Sequence, residues 1–494
     1  MKDASTMKNL KVGAALLVSV AALATGQAHA KSRTAADTLA ATTMLSDLVK
    51  LDSTNPPGDT RAIAKYLQDY FAKLGVKSEI VLAPNGKAAH FILRLKGDGS
   101  RKPVLIAAHS DVVPVDQSRW SVPAFGGIVK DGYVWGRGAL DNKANLTTFS
   151  LAVARLVRNK VPLARDVILL AEADEEQGSF HTSWLEKEHW AQMDAEFALN
   201  EGGDTIWDAA HKVRQVGVST VDKLTVTFRM TANGLTGHSS RPLKIDETAN
   251  GQLIAAMTRL LAFKQPVRLS PTTRAQLETL AVSATPEVRA AIRSVLDLPP
   301  GPDLEAAADR LMALDPAGEV GVSGLLRDSL VITMIDSGVK ANVIPPTASA
   351  VMNARLFPGA DVDAFIADIN RTIADPRVQL KVISAASEQD PVAYYRGRAT
   401  VPASSIDTDL YRAIQSAAAK QWPGARVSPM LLTGTTDAVP WREHRIPVYG
   451  IGSTPILKAE RATVHGDDER VSVEALGQGV DFIYDILTDV AKQR

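Results

Sequence analysis

Apolar residues along the chain recur at two spacings, which predict alternating helices and strands. Helical spacing runs through Thr38–Leu51 and, after a Pro-Pro-Gly break, through Thr60–Leu74. Continuous apolar runs at Val104–Ala108 and Val167–Ala171 are typical of strands buried on both faces, and a helical pattern at Ala144–Leu156 lies between them. This alternation predicts an α/β fold whose sheet is covered by helices on both faces.

The pattern changes at Lys223, after which residues 224–230 alternate between apolar and polar, as in a half-buried strand. The elements predicted after it are a helix at Glu247–Phe263, strands at Leu330–Ile335 and Ala348–Leu356, and a helix at Val362–Ile373. Their order predicts a small α+β domain with one open sheet face. We therefore expect a first domain formed by residues 31–218 and 397–494, and an inserted domain at 219–396 with a helical insertion at about 265–328.

The first thirty residues have the pattern of a secretory signal peptide. Lys8 and Lys11 precede the apolar run Val12–Thr25, and Ala28-His29-Ala30 provides a small-x-small cleavage site. An uncleaved membrane anchor is the alternative, but the run is short for a span of about 20 residues. We expect residues 1–30 to be removed, leaving an exported protein, periplasmic or secreted, without a stable membrane span.

Composition excludes several classes of function. The 55 basic and 55 acidic side chains leave no basic excess for nucleic acid to bind. A hydrophobic fraction of 45% is too high for a disordered chain. With no cysteine, the chain has no disulfide, iron–sulfur cluster, cysteine zinc site or thiol nucleophile.

Polar side chains that can bind metal follow the predicted strands. His109 and Asp111 come directly after the first buried strand, and the acidic segment Glu172–Glu176 follows the second. Four carboxylates in five residues repel one another unless cations neutralise them, although a solvated acidic turn is the alternative. Asp141 precedes the helix at Ala144–Leu156, where capping is its alternative role.

Two further segments add ligand types. Asn200-Glu201-Gly202-Gly203 follows another apolar run, and His465 lies before the last predicted helix. Two histidines and several carboxylates, without a thiolate, suit Zn²⁺, or a harder ion such as Co²⁺ or Mn²⁺.

Together these segments resemble the aminoacylase/carboxypeptidase S family of dinuclear zinc peptidases, over about residues 40–490. The motifs that carry the resemblance are His109–Pro114, Gly136–Lys143, Asp174–Glu176, Asn200–Gly203, Gly237–Pro242, Asn342–Pro345, Arg355–Gly359, Gly434–Asp437 and His465. The resemblance implies a zinc-peptidase catalytic domain, with a mixed sheet flanked by helices, and an inserted α+β lid domain that also forms a dimer.

The resemblance also implies two Zn²⁺ per subunit and a role for each ligand. The implied arrangement has Asp141 bridging both ions, His109 and Glu201 completing one ligand set, and Glu176 and His465 completing the other. Glu175 is implied as general base and acid, and Asp111 as the residue that holds His109. The peptide bond Asp141-Asn142 is implied to be cis, and Asn200 stands where the family usually has an acidic residue.

In the lid domain the resemblance implies that His238 stabilises the oxyanion from the partner subunit, which predicts a homodimer formed through the lid. A turn residue in a Gly-Ser-rich loop is the alternative for His238. Asn342 and Arg355 are implied to hold the substrate carboxylate, Arg355 through a bidentate pair. For Arg355 the alternative is an ordinary position on the strand surface.

We expect an exported zinc-dependent metallohydrolase of the carboxypeptidase type, which cleaves the amide bond next to a C-terminal or N-acylated amino acid. An N-acyl-amino-acid amidohydrolase of the aminoacylase type is the alternative. The insertion at 265–328 resembles the carboxypeptidase S and N-fatty-acyl-amino-acid hydrolase branch, which implies either C-terminal peptides or N-acyl amino acids as substrates. A non-catalytic exported binding protein is a remote third alternative. Glu175 argues against it, because a binding protein does not need a general base beside two metal ions. The expected partners are a peptide or N-acyl amino acid and a second subunit.

Overall fold

The computed structural model describes residues 35–178, 180–315, 321–383 and 390–492. The predicted signal peptide at 1–30 lies outside these residues. None of the helices within the described ranges combines the length and the apolar character needed to cross a membrane.

The first part of the chain builds most of the central sheet. Its elements are α1 (35–50), α2 (Arg61–Ala72), β1 (Ser78–Leu82), β2 (Ala89–Leu95), β3 (Val104–His109), β4 (Ile128–Lys130), β5 (Tyr133–Trp135), α3 (Lys143–Arg158), β6 (Val167–Glu172), α4 (Thr182–Met193), β7 (Phe197–Asn200), β8 (Asp204–Trp207) and β9 (Val213–Asp222). The predicted helices and strands of this region are all present, with ends shifted by a few residues.

The middle part forms the lid and the helical insertion. Its elements are β10 (Leu224–Asn233), β11 (Gly237–His238), α5 (Ala249–Leu260), α6 (Pro271–Ser283), α7 (Pro286–Asp297), α8 (Pro302–Ala313), α9 (Val322–Leu326), β12 (Ser329–Ser337), β13 (Val343–Ile344), β14 (Thr347–Leu356), α10 (Val362–Ile373), β15 (Val378–Ile383) and α11 (Pro391–Ala399).

The last part returns to the central sheet. Its elements are α12 (Asp409–Gln421), β16 (Arg426–Leu432), α13 (Val439–Glu443), β17 (Val448–Gly450), β18 (Pro455–Ile456), α14 (Lys458–Arg461), β19 (Arg470–Ser472) and α15 (Val473–Ala491).

The central sheet is mixed and has the order β1-β2-β6-β3-β7-β17-β9-β8-β18, with β16 pairing parallel to β9. Strands β6, β3, β7 and β17 run parallel to one another at its middle. Helices α1, α3, α12 and α15 contribute to the core on one face, and α4 and α13 to the core on the other. The predicted α/β fold with a sheet covered on both faces is therefore confirmed.

The lid contains an antiparallel sheet of order β12-β14-β10-β15. Side chains of β10 alternate between buried and partly or fully exposed, as the sequence predicted, and the buried set packs against α5, α10 and α11. The edge strand β12 exposes Val331, Met334 and Ile335 by 56%, 64% and 63%. The lid sheet thus has the expected open face.

The helical insertion, α6 to α9, packs against both the lid and the central sheet. Its core includes Leu277 and Leu325, and shares Phe357, which follows β14 of the lid, as well as Val221 of β9 and Leu431 of β16. The insertion therefore connects the lid to the central sheet.

The turn between β7 and β8 depends on a glycine. A Cβ on Gly203 would lie 2.3 Å from the carbonyl oxygen of Gly450 and 2.4 Å from that of Gly217. Both atoms are backbone atoms of paired strands, so they cannot move without disturbing the sheet.

We predict that Gly203→Ala destabilises the protein by about 1–3 kcal/mol, because the added methyl group overpacks the centre of the sheet. Urea unfolding followed by circular dichroism measures the change. Gly397→Ala is the matched control: Gly397 lies inside α11 and a Cβ there has no atom within 4 Å. It should be stabilising by about 0.5–1 kcal/mol, and equal midpoints for the two variants would contradict the argument.

Candidate metal centre

The candidate site lies where parallel strands end side by side. Strand β3 ends at His109, and its neighbours β6 and β7 lead into Glu175-Glu176 and Glu201. Asp141 precedes α3, and His465 lies in the segment between α14 and β19. The fold therefore brings together six side chains from five separate segments of the sequence.

The carboxylate of Asp141 lies at the centre of the group. Its Oδ1 is 2.9 Å from Nε2 of His109, and its Oδ2 is 3.1 Å from Nε2 of His465. His109 Nε2 also lies 3.3 Å from Oε2 of Glu201, and His465 Nε2 lies 3.2 Å from Oε1 of Glu176. The site thus contains two sets of nitrogen and oxygen atoms that share Asp141 through opposite oxygens.

These donors suit divalent cations in type and in spacing. Ligand atoms of His109, Asp141 and Glu176 all lie within 4.8 Å of one another, and so do those of His109, Glu175 and Glu201. Imidazole nitrogen and carboxylate oxygen are ligands of Zn²⁺ and related ions. The residues present therefore fit a metal centre.

The electrostatics of the site also favour bound positive charge. Hydrogen bonds to Asp141 and Glu176 raise the pKa of His465 to about 10. Burial by itself lowers the pKa of His109, but the neighbouring Glu201 and Asp141 outweigh it and bring the pKa well above its usual value. Burial, with the nearby Glu201 charge, raises the pKa of Glu175 well above its ordinary value. Each shift reflects carboxylates gathered where water is scarce.

Asp111 connects the strand carrying His109 to the segment carrying Glu175. Its carboxylate accepts hydrogen bonds from the backbone N–H of Glu175 at 3.2 Å and of Glu176 at 3.1 Å. His109 Nδ1 lies 3.0 Å from the backbone oxygen of Asp111 and 3.7 Å from its carboxylate. Asp111 therefore contacts the His109 ring through its backbone, and its carboxylate fixes the acidic segment.

Asn55 is a supporting residue that the sequence reasoning missed. Its Nδ2 donates to Asp111 Oδ2 and to Asp174 Oδ1, both at 2.8 Å. Asp174 Oδ2 in turn accepts from the backbone N–H of Phe180 at 2.6 Å. In the sequence Asn55 only precedes the Pro-Pro-Gly break, and nothing there indicates its contact with the acidic segment.

Glu469 is a second residue that was missed, and it holds the loop that carries Asp141. This fully buried carboxylate accepts from the backbone N–H groups of Gly138, Leu140 and Asp141 at 2.9, 2.7 and 2.9 Å. It also pairs with Nη1 of Arg137 at 2.7 Å. The peptide bond Asp141-Asn142 is cis.

Asn200 stands where the family usually has an acidic residue, and its neighbour Asp437 explains the difference. Asn200 is buried and its Nδ2 donates a short hydrogen bond to Oδ1 of Asp437. Burial raises the pKa of Asp437 to about 7. An acidic residue at position 200 would bring a second buried carboxyl group against Asp437, whereas the amide supplies a donor.

The lid residues lie in two separate places. His238 and Asn342 lie on neighbouring segments, with His238 Nε2 3.3 Å from Asn342 Nδ2, and His238 Nδ1 accepts from Ser240. Arg355 Nη1 donates to Thr225 Oγ1 at 2.5 Å and to Thr435 Oγ1 at 3.3 Å. Arg355 therefore contacts the Gly434–Asp437 segment of the catalytic domain, whereas these contacts of His238 stay within the lid.

Comparison with known proteins gives consistent results. The sequence profile of "Peptidase family M20/M25/M40" matches residues 105–489. Human N-fatty-acyl-amino acid synthase/hydrolase PM20D1 is 28% identical over 442 residues, covering 87% of this chain and 83% of the relative. Probable carboxypeptidase S-like 2 of Dictyostelium discoideum is 26% identical over 404 residues, covering 80% and 73%. The solved M20 family metallo-carboxypeptidase Sso-CP2 of Sulfolobus solfataricus has a TM-score of 0.65 at 16% identity, covering 90% of this chain and 98% of that structure.

We predict that Glu469→Gln weakens metal binding by about 10–100-fold, the usual cost of losing a residue that orients a ligand. A glutamine side chain has one acceptor oxygen where Glu469 has two, so some of the four donors around it lose their partner. Titration with Zn²⁺ against a competing chelator measures the affinity.

Glu196→Gln is the control, since Glu196 pairs with Arg165 at 2.7 Å in another part of the fold. Unchanged zinc affinity in a folded Glu469→Gln protein would show that the loop carrying Asp141 does not depend on Glu469.

Proposed function

The chain belongs to peptidase family M20/M25/M40, as its motifs indicated, and we propose that it is a zinc-dependent metallohydrolase of the carboxypeptidase type. Family membership makes it a hydrolase of peptide or N-acyl amide bonds. The proposed reaction is cleavage of the amide bond next to a C-terminal or N-acylated amino acid. The observation that supports it is the position of the Asp141 carboxylate, whose two oxygens face His109 and His465. Glu201 lies beside His109, and Glu176 lies beside His465.

Two ions would be held in this arrangement. His109 and Glu201 would hold one, Glu176 and His465 the other, and Asp141 both. Zn²⁺ suits these ligands, and Co²⁺ or Mn²⁺ would also be accepted. When bound, the ions supply Lewis-acid polarisation of the amide carbonyl and lower the pKa of water at the site.

Glu175 is proposed to move the proton. The backbone N–H of Glu175 is held by the Asp111 carboxylate. A carboxylate oxygen of Glu175 lies within 4.8 Å of a ring nitrogen of His109 and of a carboxylate oxygen of Glu201. From there Glu175 takes a proton from the attacking water and delivers it to the leaving nitrogen.

Arg355 is proposed to bind the substrate carboxylate. A cleft of about 840 Å³ lies between the lid and the catalytic domain, and Arg355 lines it. The partners of its guanidinium are the hydroxyls of Thr225 and Thr435, and no ion pair in the described ranges involves it. A cation without a carboxylate partner is suited to bind the α-carboxylate of a substrate. Asn342 is proposed as a further contact to that group.

His238 is proposed to serve the active site of the partner subunit, in a homodimer formed through the lid. The described contacts of His238, to Ser240 and Asn342, stay on its own lid. The open edge strand β12 exposes an apolar row that would be covered by a second copy.

The alternatives differ in the acyl group and in catalysis. The human relative's name refers to N-fatty-acyl amino acids, and that of the Dictyostelium relative to a carboxypeptidase. An N-acyl-amino-acid amidohydrolase would use the same residues on a different acyl group. A binding protein would not require Glu175.

Export is proposed from the signal-peptide pattern at residues 1–30 alone.

We predict that the purified mature chain hydrolyses benzyloxycarbonyl-Gly-Leu, Gly-Leu or N-acyl Phe and Leu, and that chelator abolishes the activity. Glu175→Gln should retain zinc but lose at least about 100-fold in kcat, since positioned acid–base groups contribute about 10²–10⁴-fold. Amino-acid release and bound zinc are measured on the same samples.

Glu186→Gln, at a half-buried glutamate of α4 that pairs with His444, is the control. Full turnover by Glu175→Gln, or activity that survives removal of the metal, would reject this mechanism.

We further predict that two inactive variants restore activity when mixed. In a heterodimer of Glu175→Gln with His238→Ala, the site on the His238→Ala subunit keeps its own Glu175 and receives His238 from the partner. Subunits are mixed under mild dissociating conditions and reassembled, and the rate is compared with each variant alone. About half of the sites in the heterodimer should be active, whereas no gain over the separate variants would place His238 outside the partner's site.

A further inference from the structure

The cleft of about 840 Å³ between the lid and the catalytic domain is lined by basic side chains and by no acidic one. We refer to it as the lid cleft. None of the described residues that line it is an aspartate or a glutamate, and its basic lining residues are His181, Lys187, Arg355 and Arg398. A cleft lined by charges of one sign concentrates ligands of the opposite sign. The lid cleft therefore favours anionic groups on a substrate.

The three cations of the lid cleft differ in their partners. Arg398 pairs with Glu443 at 3.2 Å, and its Nη1 donates to the hydroxyl of Tyr394 at 3.0 Å. Arg355 donates to hydroxyl groups only. Lys187 is exposed and has no ion pair among the residues that the structure describes. Two positive charges in the cleft, those of Arg355 and Lys187, thus have no carboxylate partner.

These two charges belong to different domains. Arg355 is part of β14 in the lid, whereas Lys187 is part of α4 in the catalytic domain. The α-carboxylate proposed to bind Arg355 neutralises one of the two charges and leaves Lys187 unmatched. A second carboxylate on the same substrate residue would neutralise Lys187 as well.

His181 adds a hydrogen-bond donor to the wall that carries Lys187. Its Nδ1 accepts from the backbone N–H of Ser183 at 3.3 Å, so the hydrogen of the neutral ring is on Nε2. Burial lowers the pKa of His181 against the opposing charge of Asp174, and the positive charges of Arg398 and Lys187 act in the same direction as burial. The ring is therefore neutral at pH 7, and its Nε2–H can donate to a carboxylate oxygen.

We propose that the lid cleft selects an acidic residue, aspartate or glutamate, on the leaving side of the scissile amide bond. Arg355 holds the α-carboxylate of that residue, and Lys187 with the Nε2–H of His181 holds its side-chain carboxylate. This inference rests on the proposed cleavage next to a C-terminal amino acid and names the side chain of that amino acid. The competing arrangement is an apolar side chain packed on Trp184 and Tyr394, which also line the cleft.

The test is the ratio of kcat/KM for benzyloxycarbonyl-Gly-Glu over benzyloxycarbonyl-Gly-Gln, two substrates that differ in charge and hardly in size. We expect a ratio of at least about five for the zinc-loaded wild-type protein. Lys187→Met should lower it by about three- to fivefold, since a pair with an exposed lysine is weak. Lys187→Glu should lower it further and raise the relative rate for benzyloxycarbonyl-Gly-Lys. Zinc content is measured for every variant.

Lys77→Met is the matched control, because Lys77 is an exposed lysine between α2 and β1 and does not line the lid cleft. Salt gives a readout that a merely structural role would not move. Raising NaCl from about 0.05 to 0.5 M should lower the wild-type ratio by screening the exposed charge, and should change the Lys187→Met ratio less. Calorimetric binding of free glutamate and glutamine should show the same preference without turnover.

The outcomes separate this inference from the proposed function. Equal ratios for Lys187→Met and Lys77→Met would overturn the role of Lys187. Faster cleavage of benzyloxycarbonyl-Gly-Gln or benzyloxycarbonyl-Gly-Leu than of benzyloxycarbonyl-Gly-Glu by the wild-type protein would overturn the acidic specificity and leave the metallohydrolase standing. Absence of metal-dependent hydrolysis with every substrate would reject the proposed function itself.

Discussion

The structure around the site depends on keeping one carboxylate, that of Asp141, between two imidazoles. Glu469 holds the backbone of the Asp141 loop by accepting N–H groups on both sides of Ala139 and of Asp141 itself. Arg137 offsets the charge of Glu469, which would otherwise be a buried anion without a partner. Backbone hydrogen bonds to Glu469 thus fix the position of Asp141. The carboxylate of Asp141 is then free to face His109 with one oxygen and His465 with the other.

The ends of the parallel strands provide the second constraint. Adjacent strands β6, β3 and β7 can deliver ligands to one place only if the segments after them do not fold away into solvent. Asp111 and Asn55 prevent this by tying the segment after β6 to the end of β3. The same contacts that shape the chain also set the position of Glu175, so local structure and proposed chemistry cannot be varied separately.

Much of this could be predicted from the sequence, and the parts that could not share a physical reason. The buried strands ending near His109 and Glu172 gave continuous apolar runs, and the ligand residues lay in motifs at those ends. Glu469 follows Asp467 and Asp468, and such an acidic run is typical of an exposed turn; its burial results from contacts with residues more than 300 positions away. Helix α6 lies within the predicted helical insertion, but its packing partner could not be predicted, because its buried residues face β16 and no pattern within the helix indicates that strand.

The position of the helical insertion changes how the two halves of the site should be understood. A lid-mounted insertion would move with Arg355 and would therefore belong to the half that binds the carboxylate. The core of the insertion includes Val221 of β9 and Leu431 of β16, but also Phe357, which directly follows β14 of the lid and lies two residues after Arg355. The insertion is therefore packed against both the central sheet and the lid. Because protein interiors are close-packed, the lid cannot shift relative to the central sheet without rearranging this shared core. The position of Arg355 therefore depends on the packing of the insertion as well as on the lid sheet.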